Sequence, residues 1–114
     1  MRRIALIAAL TALTSMPAMA QTFTGNWSCR DATTVRAGIL TIYGQVYGFS
    51  STVFGDASSG TGTITAYQDG VGFNDGGLRT TRSIQAGRLI PDPTYGTAIQ
   101  LETADSIVML CTPR

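Results

Sequence analysis

"GILTIYGQVYGF", residues 38–49, decides how this chain is read. Apolar, β-branched and aromatic residues flank Gly44-Gln45, and two such runs joined by a two-residue turn containing Gly spell a β-hairpin. The pattern returns without a gap as "GTITAYQDGVGF", residues 62–73. Gly38/Gly62, Thr41/Thr65, Tyr43/Tyr67, Gly48/Gly72 and Phe49/Phe73 are identical between the copies. Each copy reads as strand, short turn and return strand with a glycine inside it. Interior Gly in a strand marks a bulge, a bend or a close backbone approach. Gly48 and Gly72 are therefore expected at bends that let a meander curl. A third copy fails, because "AGRLIPDPTYG", residues 86–96, loses its return strand. Two hairpins of a meander account for the repeat better than a solenoid does.

Outward from the repeat the pattern stays short and broken by turn formers. "TFTGNWSCR" (22–30) reads as a first strand with Phe23, Trp27 and Cys29 on one parity, and "RDATT" as its turn. "FGDASSG" (54–60) is a loop. "DGG" (75–77) is a turn into "LRTTRSI" (78–84), read as a strand. "AGRLI" is a shorter strand ended by "PDP", whose prolines are expected to bar ladder pairing. "GTAIQLE" and "SIVMLC" form a last hairpin around "TAD". Beyond residue 20 nothing keeps a helical period over three turns. The expected fold is all-β: a small antiparallel up-and-down meander of about eight strands, closed or nearly closed into a barrel.

The first 20 residues, "MRRIALIAALTALTSMPAMA", have a positive start, a short apolar run and Ala18-Met19-Ala20 before a cleavage point. They form the pattern of a secretory signal peptide. The apolar run is too short to span about 30 Å of hydrocarbon. Cleavage is expected after Ala20, leaving residues 21–114 as one domain, periplasmic or secreted, with no membrane anchor. Cys29 and Cys111 are the two cysteines. In an exported protein they are expected to pair. In a meander the first and last strands become neighbours only if the sheet closes, so this disulfide argues for closure.

The basic residues are all Arg, and removal of Arg2 and Arg3 leaves six against seven acids, a net of −1. No basic field exists to draw nucleic acid. The chain has neither His nor Lys. Ser-His-Asp and Cys-His triads, the usual zinc sites and Schiff-base lysines are thereby excluded. Asp31, Asp56, Asp69, Asp75, Asp92, Glu102 and Asp105 are the acids, and each Asp falls in an expected turn, where it bonds local backbone. "QDGVGFNDGG" (68–77) fails as a calcium loop, since Val71, Phe73 and Thr80 stand where oxygen-rich ligands belong. No catalytic residue, metal or cofactor is expected. Arg79, Arg82 and Arg88 are a candidate anion site if neighbouring strands bring their guanidinium groups together.

"GNW" in a first strand resembles the Gly-x-Trp that opens the lipocalin, avidin-like and related calycin barrels. In those barrels the Trp closes one end and an Arg near the last strand packs across it. The resemblance implies that role for Gly25, Trp27 and Arg114. This chain is shorter than a typical lipocalin and lacks a sign of the family's C-terminal helix. Small periplasmic metalloprotease-inhibitor barrels share the general shape, with a more local disulfide. The expected function is that of a non-enzymatic, monomeric binding module in the cell envelope, acting on a protein partner in an inhibitor-like way. A carrier of a small apolar ligand and a structural envelope protein are the alternatives.

Overall fold

Both copies of the repeat fold as hairpins. In the computed structural model, which describes residues 23–114, β1 (Gly25–Asp31), β2 (Arg36–Tyr43), β3 (Val46–Ser51), β4 (Gly60–Tyr67) and β5 (Gly70–Phe73) follow one another. A short helix, α1 (Gly77–Arg82), precedes β6 (Ala86–Asp92), β7 (Gly96–Glu102) and β8 (Ile107–Pro113). Every strand is antiparallel to the one before it, and β8 pairs with β1 to close an eight-stranded barrel. Tyr43 faces Val46 across Gly44-Gln45, and Gly44 takes the positive φ of 64° that such a turn needs. Tyr67 faces Gly70 in the second copy. The expected signal peptide, residues 1–20, and Gln21 lie outside the described residues.

Cys29 and Cys111 are direct cross-strand partners and are disulfide-bonded, with an S–S distance of 2.08 Å. The bond fastens the seam between the first and last strands. Inward positions alternate along each strand. Trp27, Leu40, Ile42, Tyr47, Phe49 and Phe73 belong to one buried cluster that also takes in Ile99, Leu101, Met109 and the disulfide. An eight-stranded barrel has an interior just wide enough for side chains, so large rings need space conceded by neighbours. That space explains the first glycine of the repeat. A Cβ on Gly38 would stand 2.6 Å from the Phe49 ring, and one on Gly62 would stand 2.6 Å from the Tyr47 ring.

Gly48 and Gly72 do not sit at bulges. Gly48 pairs in unbroken register with Thr41 and Thr61, and Gly72 with Thr65 and Ala86. Both face outward. The Tyr67 ring lies over Gly72, 3.1 Å from where its Cβ would be, whereas Gly48 is open. The register shifts lie instead at Cys29/Arg30 and Leu101/Glu102.

"LRTTRSI" is not a strand. Residues 77–82 form α1, ended by Ser83 in the left-handed conformation with φ 59°. Its two apolar residues, Leu78 and Ile84, share a strand parity with Thr80 and Arg82. As a strand it would drive those polar groups inward. As a helical turn it buries Leu78 and Ile84 in the core and leaves Thr80, Thr81 and Arg82 exposed. The strand after it is longer than expected. β6 runs through Pro91, which pairs with Thr97. Leu89 sends its N–H to the Asp69 carbonyl on the β5 side. N–H directions alternate along a strand, so the donorless nitrogen of Pro91 faces that same side. The β5–β6 ladder covers only Ala86 to Arg88, so no bond is lost there.

Candidate functional site

β1 carries the residues singled out by the calycin resemblance. Gly25 opens the strand with φ 134° and faces Ile42. Trp27 is buried between Leu40 and Pro113, and its indole N–H donates to the Phe23 carbonyl at 3.1 Å. The chain turn at Phe23–Thr24 thus satisfies the one polar atom of the ring. Arg114 lies beside Trp27 through its backbone, donating its N–H to the Asn26 carbonyl. The residue also lines a groove on the outer wall with Ser28 and Arg36. The contact of Arg114 beside Trp27 is thus made by its backbone, and the residue as a whole is exposed.

Arg79, Arg82 and Arg88 do not occupy neighbouring strands. Arg79 and Arg82 belong to α1, and Arg88 to β6. Arg79 donates to the Phe73 carbonyl at 2.8 Å. Arg82 pairs with Asp56 at 2.9 Å and Arg88 with Glu102 at 3.0 Å. Each guanidinium holds an acceptor of its own. The reason is local: α1 docks over the 52–59 loop, where Asp56 sits, through Thr81 and Arg82, and β6 pairs with β7, where Glu102 sits opposite Ala86.

The acids mostly organise turns. Asp31 Oδ1 accepts the N–H groups of Thr33 and Val35, and Asp92 Oδ2 those of Thr94 and Tyr95. Asp75 accepts the Thr63 N–H at 2.7 Å. Asp56 ties together three different residues: it accepts from the Ser58 N–H, the Ser51 hydroxyl and Arg82. The Ser58 N–H, then the Ser51 hydroxyl, hold its carboxyl well below the usual carboxylate range. That hub braces a loop whose tip presents Val53 and a fully exposed Phe54. Among the described residues no three Asp, Glu or Cys side chains are grouped so as to hold a metal ion.

Among the described residues, several grooves mark the outer wall. One, about 520 Å³, surrounds the bare Gly48 and is edged by Thr41, Tyr43, Val46 and Thr61. A second, about 300 Å³, straddles the β1–β8 seam and is lined by Arg30, Arg36 and Arg114 together with Ser28 and Thr112. A third, about 360 Å³, shares Arg30, Tyr95 and Thr112 with the second and continues along Ile107 and Leu110. The sequence reading missed these three arginines as a group. Their signal was there in part: Arg114 follows the Cys111 that closure sets beside Cys29. No family model, curated protein or solved structure matches this chain.

Proposed function

We propose that this protein is an exported, calycin-type barrel that works through its outer surface as a protein-interaction, inhibitor-like module of the cell envelope. The observation carrying the reading is the packing of the barrel. Its inward positions hold large side chains that form one buried cluster with the disulfide, so the interior serves as core. The features left for recognition face out. Chief among them is the tip of the 52–59 loop, where Val53 and Phe54 stand exposed on a backbone fixed by Asp56. An aromatic anchor held in place before contact loses little freedom on binding, which is how a small surface gains affinity. The Cys29–Cys111 disulfide is consistent with an oxidising compartment. Gly25 and Trp27 in the first strand, and an up-and-down closure, support the calycin assignment. On this reading the domain is a monomer without a cofactor and without catalytic turnover.

The test is a photocrosslinking amino acid at position 53 of the exported protein in cells. A discrete adduct of a partner protein is expected, and Phe54→Ser should abolish it. Native mass spectrometry of the purified oxidised protein runs beside it. An equimolar small apolar molecule in that spectrum, with no adduct at position 53, would overturn the reading in favour of a carrier.

A further inference from the structure

The six described arginines divide into two sets. Arg79, Arg82 and Arg88 each hold an acceptor on a different part of the barrel. Arg30, Arg36 and Arg114 line one groove, and among the described residues none of them forms an ion pair, with a side chain or with the terminal carboxylate. Arg30 gives one N–H to the Thr34 carbonyl at 3.0 Å, which leaves most of its fork of donors free. Asp31, the nearest acid in sequence, turns its Oδ1 to the Thr33 and Val35 amides.

The grouping is built by the backbone. Cys29 faces Gly38, yet Arg30 faces Arg36. Ala37 is therefore an extra residue on β2, a bulge that re-aims the residues beyond it. Without it Arg30 would face Ala37, and Arg36 would point the other way. With it, two guanidinium-bearing residues become direct cross-strand partners. Like charges in that relation are destabilising. Closure then adds Arg114 to the same groove, through the pairing of Trp27 with Pro113 and the bond from the Arg114 N–H to Asn26. An anion seated among the three would relieve their repulsion, and guanidinium forks match the oxygens of phosphate or carboxylate.

The neighbouring groove sets the rest of the ligand. It shares Arg30, Tyr95 and Thr112 with the cationic one and runs past Ile107 and Leu110, with Asp31, whose Oδ1 is held by the Thr33 and Val35 amides, also in its lining. Tyr95 and Ile107 are more than half exposed. We propose that the seam binds a small amphipathic oxyanion, its phosphate or carboxylate head among Arg30, Arg36 and Arg114 and its apolar body along Tyr95, Ile107 and Leu110. This goes beyond the protein-interaction reading, which concerns the loop at Phe54. Loss of one leaves the other standing.

The experiment titrates octyl phosphate, octanoate, inorganic phosphate and octyl glucoside into the oxidised protein, residues 21–114, by calorimetry and by amide shifts at Ser28 and Thr112. The two charged amphiphiles are expected to saturate one site, and the tighter of the two assigns the head group. Inorganic phosphate should bind the same amides more weakly, and octyl glucoside should not compete. Arg36→Gln and Arg114→Gln should each weaken binding by about tenfold or more, the scale of a lost charge-assisted hydrogen bond. Arg88→Gln should leave it unchanged. Wild-type affinity should fall with added salt, a readout needing no variant. Equal binding of octyl glucoside, indifference to Arg36→Gln and Arg114→Gln, or shifts confined to other amides would overturn the site. Cosedimentation with phosphatidylglycerol vesicles without saturable monomer binding would overturn it too, since the arginines would then read a charged surface and not a single ligand.

Discussion

Replacing Tyr47 by Phe tests whether the 74–85 connection hangs from the barrel core by one hydroxyl group. Tyr47 is buried, and its ring meets Phe73 edge to face with centroids 5.0 Å apart. Its hydroxyl donates to the Asp75 carbonyl at 2.8 Å and accepts the Leu78 N–H at 3.3 Å. Phe keeps the ring and deletes both bonds. One lost hydrogen bond costs about 1 kcal/mol net, and a buried N–H left without a partner costs about 1–3 kcal/mol. Leu78 is fully buried, so the second penalty applies and the total should be about 2–4 kcal/mol. In a domain of this size that lowers the melting temperature by roughly 8–30 °C. Urea and thermal unfolding followed by Trp27 emission would measure it. There is an independent mark in alkali. Burial raises the Tyr47 phenol above its ordinary value of 10.0, with the Asp75 charge acting in the same direction. A raised folded-state value means the folded protein holds this proton more tightly than the unfolded chain does. The associated stability is complete below pH 10.0 and is lost as pH climbs through the folded value. Wild type should therefore lose stability above that pH more steeply than Tyr47→Phe. A loss below about 0.5 kcal/mol, the range of neutral surface changes, together with parallel alkaline limbs, would refute the reasoning.

Reduction of Cys29–Cys111, or its replacement by Ala at both positions, should lower stability by up to about 4.5 kcal/mol from loop-closure entropy alone; an unmoved urea midpoint would show that β1 and β8 hold without it. Gly62→Val should cost at least about 1–3 kcal/mol through overpacking, since its Cβ would stand 2.6 Å from both the Tyr47 ring and the Asp75 carbonyl. Gly48→Val, with nothing nearer than 3.9 Å, should be neutral or stabilising, and equal midpoints for the two variants would sink the distinction. The Glu102 carboxyl is held below its ordinary value by Arg88 and then by Gln100. Its contribution is present above pH 4.5 and fades as pH falls through the lower folded value. Arg88→Gln should flatten that acid limb, and superimposable limbs would show that the pair does not act.

What the sequence disclosed and what it hid divide by the range of the interaction. The turn at Gly44-Gln45 is written in four adjacent residues, and alternation of Leu40, Ile42, Tyr47 and Phe49 is local as well. Both were legible. Closure was legible for a different reason: a covalent bond between Cys29 and Cys111 leaves a meander few ways to bring its ends together. α1 was not legible, because Leu78 and Ile84 bury in a place made by Tyr47, far away in the chain. Without that partner, "LRTTRSI" shows Thr and Arg in a pattern that suits a strand as well as a helix. The glycines were misassigned for the same cause. Gly62 makes room for a ring on the neighbouring strand, while Gly48, identical in spacing to Gly72, has no ring over it at all. The arginines carry this furthest. Arg79, Arg82 and Arg88 lie close in sequence, which suggested a group, but α1 and β6 send them to Phe73, Asp56 and Glu102. Arg30, Arg36 and Arg114 are scattered, and one extra residue at Ala37 together with the closing seam assembles them. A register shift flips a side chain from one face to the other, so a single bulge decides whether Arg36 meets Arg30 or turns away. Nothing short-ranged in "RDATTVRAG" announces that shift. Because that shift makes Arg30 and Arg36 direct partners between β1 and β2, and like charges in that relation disfavour pairing, the groove they line is the physical ground for seeking an anion there.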